Sequence, residues 1–542
     1  MKRQLIICSV AVSLFLVQSC KKTESLTAEK NAEGSSKLRV NAPVSDYAEY
    51  KISCVTGGKF IEVNGNPGAN QKYQELQTLG QWQATGDDEK DAWQRWYVVY
   101  VTTVSSVKYY NIRNSFSGKV IQSPNSTSGA QLQQARTPLL GLPDAQLWRI
   151  TEIGTTGQYN IVNKGNGLRI ANAGGSTTNG TAIIQETTNT DNRQKWVFTL
   201  RTPSTYRDDY ANRIFERNGT SQGSTSFDEG TSIPLTWSSN NGKVLWITQD
   251  AYDGASLQPN SMFNCGQFFS YGNSMFLQTN IYDWASTGAN ITRGGNKRIV
   301  DIQSGNSFAW PGPGVEIGQH VFVHVGEGSG LSMSNQSLWD ITQSTTTAWT
   351  GVRTLPAGMS GQTNISYATG MVKSGSTVYA FGNAGTDIHV AKFATSNPQA
   401  WTFWNGSAWV ASPVTGTTAR VATGNTNNAM GFVNGKYVLM TMDNGFFCGG
   451  TRGIYISTAT SVTGPFTAPV KVWTIQEKLN GGDARFYTPS LHTEHVNGRN
   501  ELLLTYCLNY DACGQGSCSG AYLDPYFYRV KCIRVPYSKI GL

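Results

Sequence analysis

Charged side chains are scarce in this chain. Lys, Arg, Asp and Glu together make up 14% of its 542 residues. The formal charge of +8 is spread without runs, and Lys2 and Arg3 at the extreme N-terminus account for two of those charges. No basic patch of the kind that neutralises phosphates is present, so nucleic acid is excluded as a partner. No segment of useful length repeats apolar residues at helical spacing, which excludes a helical bundle and an alternating α/β fold. Beyond residue 17 no apolar run is long enough to cross a bilayer. A Gly-x-Ser-x-Gly elbow and a phosphate-cradling glycine loop are both missing, so serine-hydrolase and nucleotide chemistry lack their marks. His492 and His495 have no further ligands at zinc spacing, and no metal or other cofactor is expected. What is abundant is 58 Gly, 15 Trp and 24 Tyr, the profile of an exported, turn-rich, all-β protein of two or three domains.

The N-terminus reads as a targeting device. Lys2-Arg3 precede an apolar stretch from Leu5 to Val17, followed by Val17-Gln18-Ser19-Cys20. These four residues resemble a bacterial lipobox, which implies a signal peptide over 1–19 and lipidation of Cys20. The polar residues 20–45 then form a flexible tether. The implied location is the bacterial cell envelope, with the membrane contacted through the lipid.

Residues 46–200 contain a threefold repeat. Its mark is Gln-x-Trp at Gln94–Trp96, Gln146–Trp148 and Gln194–Trp196, each preceded by a glycine turn and a short strand at Gly58, Gly118 and Gly167. Three such units cannot bury their apolar faces singly and close together into a barrel. The segment resembles the ricin-type β-trefoil lectin family, in which an aspartate near the glycine turn grips sugar hydroxyls. The matching positions here are Glu62, Gln122 and Ala171. Glu62, with the aromatic residues Tyr73 and Trp82, makes the first repeat the expected sugar pocket.

Thr202-Pro203-Ser204 marks a linker over 201–207, and residues 208–542 read as a run of short strands broken by Gly, Asn and Ser. Antiparallel hairpins over that length exceed one sandwich and point to a β-propeller, with blades of about 68 residues if there are five or about 48 if seven. Four segments carry a resemblance: Ile388–Lys392 with Trp401–Trp409, Ile454–Ser457 with Thr463–Phe466, Tyr487–His492, and Val535–Lys539. Ile454–Ser457 with Thr463–Phe466 resembles the outer-strand motif of arabinan- and xylan-cleaving propellers, and the others are similar to segments of five-bladed propellers in a bacterial family, formerly of unknown function, that includes endo-D-arabinanases. The resemblance implies five blades and glycoside hydrolysis of an arabinan-like polysaccharide. Gln249-Asp250-Ala251 stands where that family tends to have Gly-Asp-Thr, so the aspartate survives without its hydroxyl neighbour.

Paired carboxylates are what glycoside hydrolysis needs. Asn241-Gly242 marks a tight hairpin between Phe227–Trp237 and Lys243–Gln249. With Trp237 paired to Lys243, Asp228 falls opposite Tyr252, on the order of 7 Å diagonally from Asp250. Asp250, after an apolar strand, is expected to be the more buried and to act as general acid, with Asp228 as base or nucleophile. Glu316 is the substitute carboxylate. Trp310 offers a stacking platform, and Asp483, Arg485, Tyr487 and His492 are the expected substrate-binding residues around the funnel. Cys507, Cys513, Cys518 and Cys532 fall within 26 residues, and an exported protein is expected to bond them in two disulfides. The competing function is a non-catalytic glycan-binding lipoprotein of a carbohydrate-uptake system.

Overall fold

A computed structural model describes residues 44–542 apart from 87, 139–140, 218–222, 517 and 519. Lipidation of Cys20 and most of the tether fall outside the described residues. The fold is nearly all-β: among the described residues the one α-helix is Asp88–Asp91. No helix there is long and apolar enough to cross a membrane.

The first half closes into a β-trefoil on one continuous sheet that runs from Ala48–Cys54 to Trp196–Arg201. Its pseudo-threefold axis is visible in single bonds. Trp96, Trp148 and Trp196 each donate an indole N–H to a carbonyl, of Ile61, Ile121 and Ile170 respectively, at 3.0, 2.9 and 2.9 Å. All three indoles are fully buried, together with Ile52, Ile112 and Ile161. Truncating any one Trp to Ala costs about 3–5 kcal/mol by the usual core rule.

The second half is a five-bladed propeller. Blade 1 contains Ser224–Pro234, Val244–Asp253, Ser274–Gln278 and Ala289–Asn290. Blade 2 runs from Phe308–Ile317 to Thr350–Thr354, blade 3 from Ser366–Ser374 to Asn397–Trp404, and blade 4 from Asn427–Val433 to Val470–Thr474. Blade 5 has Gly482–His492 innermost, then Glu501–Ala512 and Val530–Pro536. Its fourth and outermost strand is Tyr206–Arg207, which pairs with Arg534 and Ile533. The end of the expected linker is therefore a propeller strand. Pairing the first strand of the propeller with its last in one blade closes the ring of sheets. Middle strands such as Glu501–Ala512 are buried on both faces because blades stack face to face, so they read as apolar runs without alternation.

Two expectations are corrected by the chain path. The connection between the first two strands of blade 1 is a longer loop, with a 3-10 turn at Ser238–Asn240, closed by the Leu235 amide on the Lys243 carbonyl at 2.9 Å. Pro234 therefore pairs with Val244, and the register differs by two residues from the tight-turn reading. The cysteines also pair differently. Cys513 bonds Cys448 and Cys518 bonds Cys265, while Cys507 and Cys532 are free and buried. Cys507 and Cys532 lie inside the blade 5 sheet, opposite Val530 and Thr505, and the Cys507 thiol is occupied by the Glu229 carbonyl at 3.5 Å. Cys513 and Cys518 instead sit beyond the strand ends, where loops of blades 4 and 1 converge.

Trefoil and propeller share a packed seam. Tyr73 stacks on Phe116 at 4.1 Å, and Phe116 faces Trp473 of blade 4 at 6.3 Å. Arg136 of the second repeat forks onto Asp209 and Glu216. Arg207, beneath Tyr73, forms a buried ion pair with Glu477.

Candidate active site

The five inner strands all start at one end of the propeller, and Asp228, Trp310, Asp483, Arg485 and Tyr487 lie near those starts. Asp228 occupies a bulge: Phe227 pairs with Ala251 and Glu229 with Thr248, which leaves Asp228 facing Gln249 and Asp250. The shifted register thus sets the two aspartates across from each other rather than on a diagonal. Glu229, the next residue, takes φ of 71°, in the left-handed region that non-glycine residues rarely visit. Thr488, directly after Tyr487 at a bulge in the inner strand of blade 5, takes φ of 43°. Two bulges with left-handed residues on neighbouring inner strands aim Asp228 and Tyr487 at each other.

Asp228 is buried. Its Oδ2 accepts hydrogen bonds from the hydroxyls of Tyr487 at 2.8 Å and Tyr528 at 3.1 Å, and its Oδ1 has no protein partner. Loss of solvent, reinforced by the charge of Asp250, holds its pKa well above 3.8, against the opposing effect of the tyrosines. Asp250 is half-buried, and burial lifts its pKa to about 6 while the Trp310 indole N–H, 3.4 Å from Oδ1, opposes the rise. The expected order of burial is reversed. The bulge tucks Asp228 beneath two tyrosines of blade 5, whereas Asp250 sits near its strand end beside Trp310. Glu229 is buried as well, raised by desolvation to about 7, and accepts bonds from Thr231 and Gln249.

Trp310 stacks on Phe308 with ring centres 3.8 Å apart, so its indole is a rigid platform next to Asp250. Asp483 and Arg485 lie on the same rim, each in an ion pair, with Lys478 and with Asp511. Two of the expected residues belong elsewhere. Glu316 is near the far end of its strand and takes hydrogen bonds from the Thr236 and Trp237 amides, the Thr236 hydroxyl and the Gln343 amide, which cap the long loop of blade 1. His492 is also at the far end, fully buried between Ser232 and Thr505 and beside Trp246. Burial, then His495 and Arg534, push its pKa well below 6.5, so it is a neutral structural group.

Sequence reasoning missed Tyr528, Glu229 and the exposed aromatics at the strand-start end. Phe268, three residues after the disulfide-bonded Cys265, is 81% exposed, and Phe447, directly before the disulfide-bonded Cys448, is 74% exposed. Phe446, beside Phe447, contacts Tyr487 at 5.1 Å, and Phe269, beside Phe268, stacks on Tyr528 at 5.4 Å. The available signal was a pair of adjacent phenylalanines within three residues of a loop cysteine, at Phe268-Phe269 and Phe446-Phe447.

The expected trefoil pocket is not open. Glu62 is buried, ion-paired with Lys72 and bound by the Gln94 amide at 2.8 Å, and Tyr73 is packed in the propeller seam. Trp82 is half-buried, with its indole donating to Asn64 at 3.2 Å. Gln122 is bound by Gln146, and Ala171 carries no polar group.

The model of a ricin-type beta-trefoil lectin domain-like family matches residues 144–233. A designed threefold-symmetric protein, ThreeFoil, is 22% identical over 28% of this chain and 99% of its own, with a TM-score of 0.24. An agglutinin of Rhizoctonia solani is 16% identical over 30% of this chain and all of its own, at 0.24. An exo-beta-1,3-galactanase from Clostridium thermocellum is 25% identical over 29% of this chain, at 0.25, and the chain spans about a third (31%) of its length. No curated protein matches. The model of a domain of unknown function, DUF5005, matches residues 208–532, more than half of the sequence, and the chain belongs to that family.

Proposed function

We propose that this protein is a lipid-anchored cell-envelope protein that binds polysaccharide and hydrolyses it with Asp228 and Asp250. One observation carries the reading. Two carboxyls face each other at the strand-start end of the propeller, one sheltered, with its pKa held well above the usual carboxylate range by burial and the neighbouring charge, the other half-open with a pKa of about 6. That division is the one acid–base cleavage of a glycosidic bond requires. Asp228 gives its proton to the leaving oxygen. Asp250, ionised at neutral pH, activates water or attacks the anomeric carbon. The platform of Trp310 and the exposed Phe268 and Phe447 suit the apolar faces of sugar rings. Arabinan-like polymers are the first substrates to try, on the resemblance of Ile388–Lys392 and Tyr487–His492 to propellers of arabinan-cleaving proteins. The lectin-like match over 144–233 supports carbohydrate binding by the trefoil.

A second reading, glycan binding without cleavage, is favoured by cavities of about 520, 530 and 560 Å³ at the trefoil seam. Reducing-sugar release from a polysaccharide panel that includes arabinans separates the two. Cleavage of at least one polymer is expected, and saturable binding without any release is the outcome of the second reading. Glycan-array binding by the full chain tests the trefoil's share.

A further inference from the structure

The cavity of about 520 Å³ lies between the trefoil and the far end of blade 5, away from the acid pair. Arg113 of the trefoil and Arg499, from the turn after the inner strand of blade 5, both border it, with Tyr206, Tyr210 and Trp284 among the other wall residues. Among the described residues, neither arginine has a carboxylate within ion-pairing distance. Both lean on Tyr47 instead. The Arg113 guanidinium is 5.8 Å and that of Arg499 3.1 Å from its ring centre, so the two cations lie within about 9 Å of each other. Arg113 also sits 5.5 Å from the ring of Tyr206.

The acids nearby are already engaged. Asp208 accepts from Arg534 at 3.0 Å, Asp209 is held by Arg136 and Lys119, and Glu501 accepts from Tyr206 and Asn497. Asp46 takes the Tyr100 amide at 2.6 Å. Desolvation of Arg499 lowers its pKa, with Glu501 and Asp46 opposing from a distance. Two neighbouring guanidinium groups, pre-oriented by aromatic rings and lacking a counter-ion, form a site that an incoming carboxylate completes through paired N–H donors. The volume suits a ligand of one or two sugar rings.

We propose that this cavity binds an acidic saccharide, a uronic-acid unit whose carboxylate is gripped by Arg113 and Arg499 while its ring lies against the wall of Tyr206, Tyr210 and Trp284. The site is separate from the Asp228–Asp250 pair and does not rest on the hydrolytic reading.

Calorimetry on the full chain with a galacturonate oligomer, a neutral oligomer of equal length and citrate tests it. Saturable binding is expected for the galacturonate oligomer alone, weakened at least tenfold in an Arg113→Met/Arg499→Met variant. Phenylglyoxal modification of the unaltered protein, read by peptide mapping, supplies a test that needs no variant. The galacturonate oligomer should protect both arginines and citrate should not. Absence of saturable binding, binding of the neutral oligomer with equal strength, or equal protection by citrate would overturn the proposal. Hydrolysis is scored in a separate assay, so failure of either reading leaves the other standing.

Discussion

The two ends of the propeller's inner strands carry the same kinds of residue and use them differently. At the far end, Glu316 accepts four hydrogen bonds, and His492 is bonded on both ring nitrogens. At the starting end, Asp228 has two bonds on one oxygen and none on the other, and it faces a second carboxyl. A polar group with all its bonding capacity used holds the fold together. One with capacity left over, in a low-dielectric setting beside a like charge, is poised to move a proton. What separates the ends is backbone geometry: bulges and left-handed residues occur where Asp228 and Tyr487 meet, while Glu316 and His492 close off loops and strands.

That contrast fails first if activity does not follow it. Replacing Asp228 or Asp250 by Asn should lower polysaccharide cleavage by at least about a hundredfold, the low end for a lost acid or base. Calorimetric melting should stay near that of the parent, since Asn conserves volume. Glu316→Ala should do the opposite. Its loss strands the Thr236 and Trp237 amides and costs about 2–3 kcal/mol in urea unfolding. Activity per folded molecule should hold.

Tyr528→Phe sharpens the description of the starting end. Its hydroxyl favours the ionised form of Asp228, so removal raises that pKa further. The alkaline limb of the pH–rate profile, set by loss of the acid's proton, should move to higher pH by on the order of one unit. The smallest effect is expected at Glu229, whose carboxyl is raised from 4.5 to about 7 by burial. Between those values the folded state keeps a proton the unfolded chain has released, so its contribution to stability is lost as pH rises through the window. Glu229→Gln should flatten the decline of melting temperature between pH 5 and 8, and an unchanged slope would remove Glu229 from the account.

The fold was legible because its marks are local and repeated. Gln-x-Trp recurs where each indole must reach the equivalent carbonyl of its own repeat, and the run of short strands separated by Gly and Asn announces a propeller, although its five blades came from the resemblance and not from the strand count. Asp228, Asp250 and Trp310 were legible as strand-end polar and aromatic residues. Their geometry was not. Asn241-Gly242 signals a two-residue turn, yet the loop from Thr236 to Lys243 is held open by bonds to Glu316, 80 residues away. The bulge at Asp228 depends on Tyr487, Tyr528 and the Cys507 thiol, all from the last blade, so no window around residue 228 contains its cause. The cysteine pairing failed for the same reason: proximity in sequence placed Cys507 and Cys532 with Cys513 and Cys518, whereas blade closure brings Cys265 and Cys448 to the latter two. Glu62 matched a sugar-gripping position, but Lys72, ten residues on, folds back to neutralise it.

The division of labour between the aspartates is tested most directly by leaving-group dependence. Once the sugar released from polymer is known, its aryl glycosides can be offered to Asp228→Asn and Asp250→Asn alongside the natural polymer. A dinitrophenyl leaving group needs no proton. Asp228→Asn should therefore cleave the dinitrophenyl glycoside at a rate near that of the parent while failing on polymer, and Asp250→Asn should fail on both. Equal losses on the two substrates for Asp228→Asn, or rescue of Asp250→Asn by the activated leaving group, would contradict the assignment.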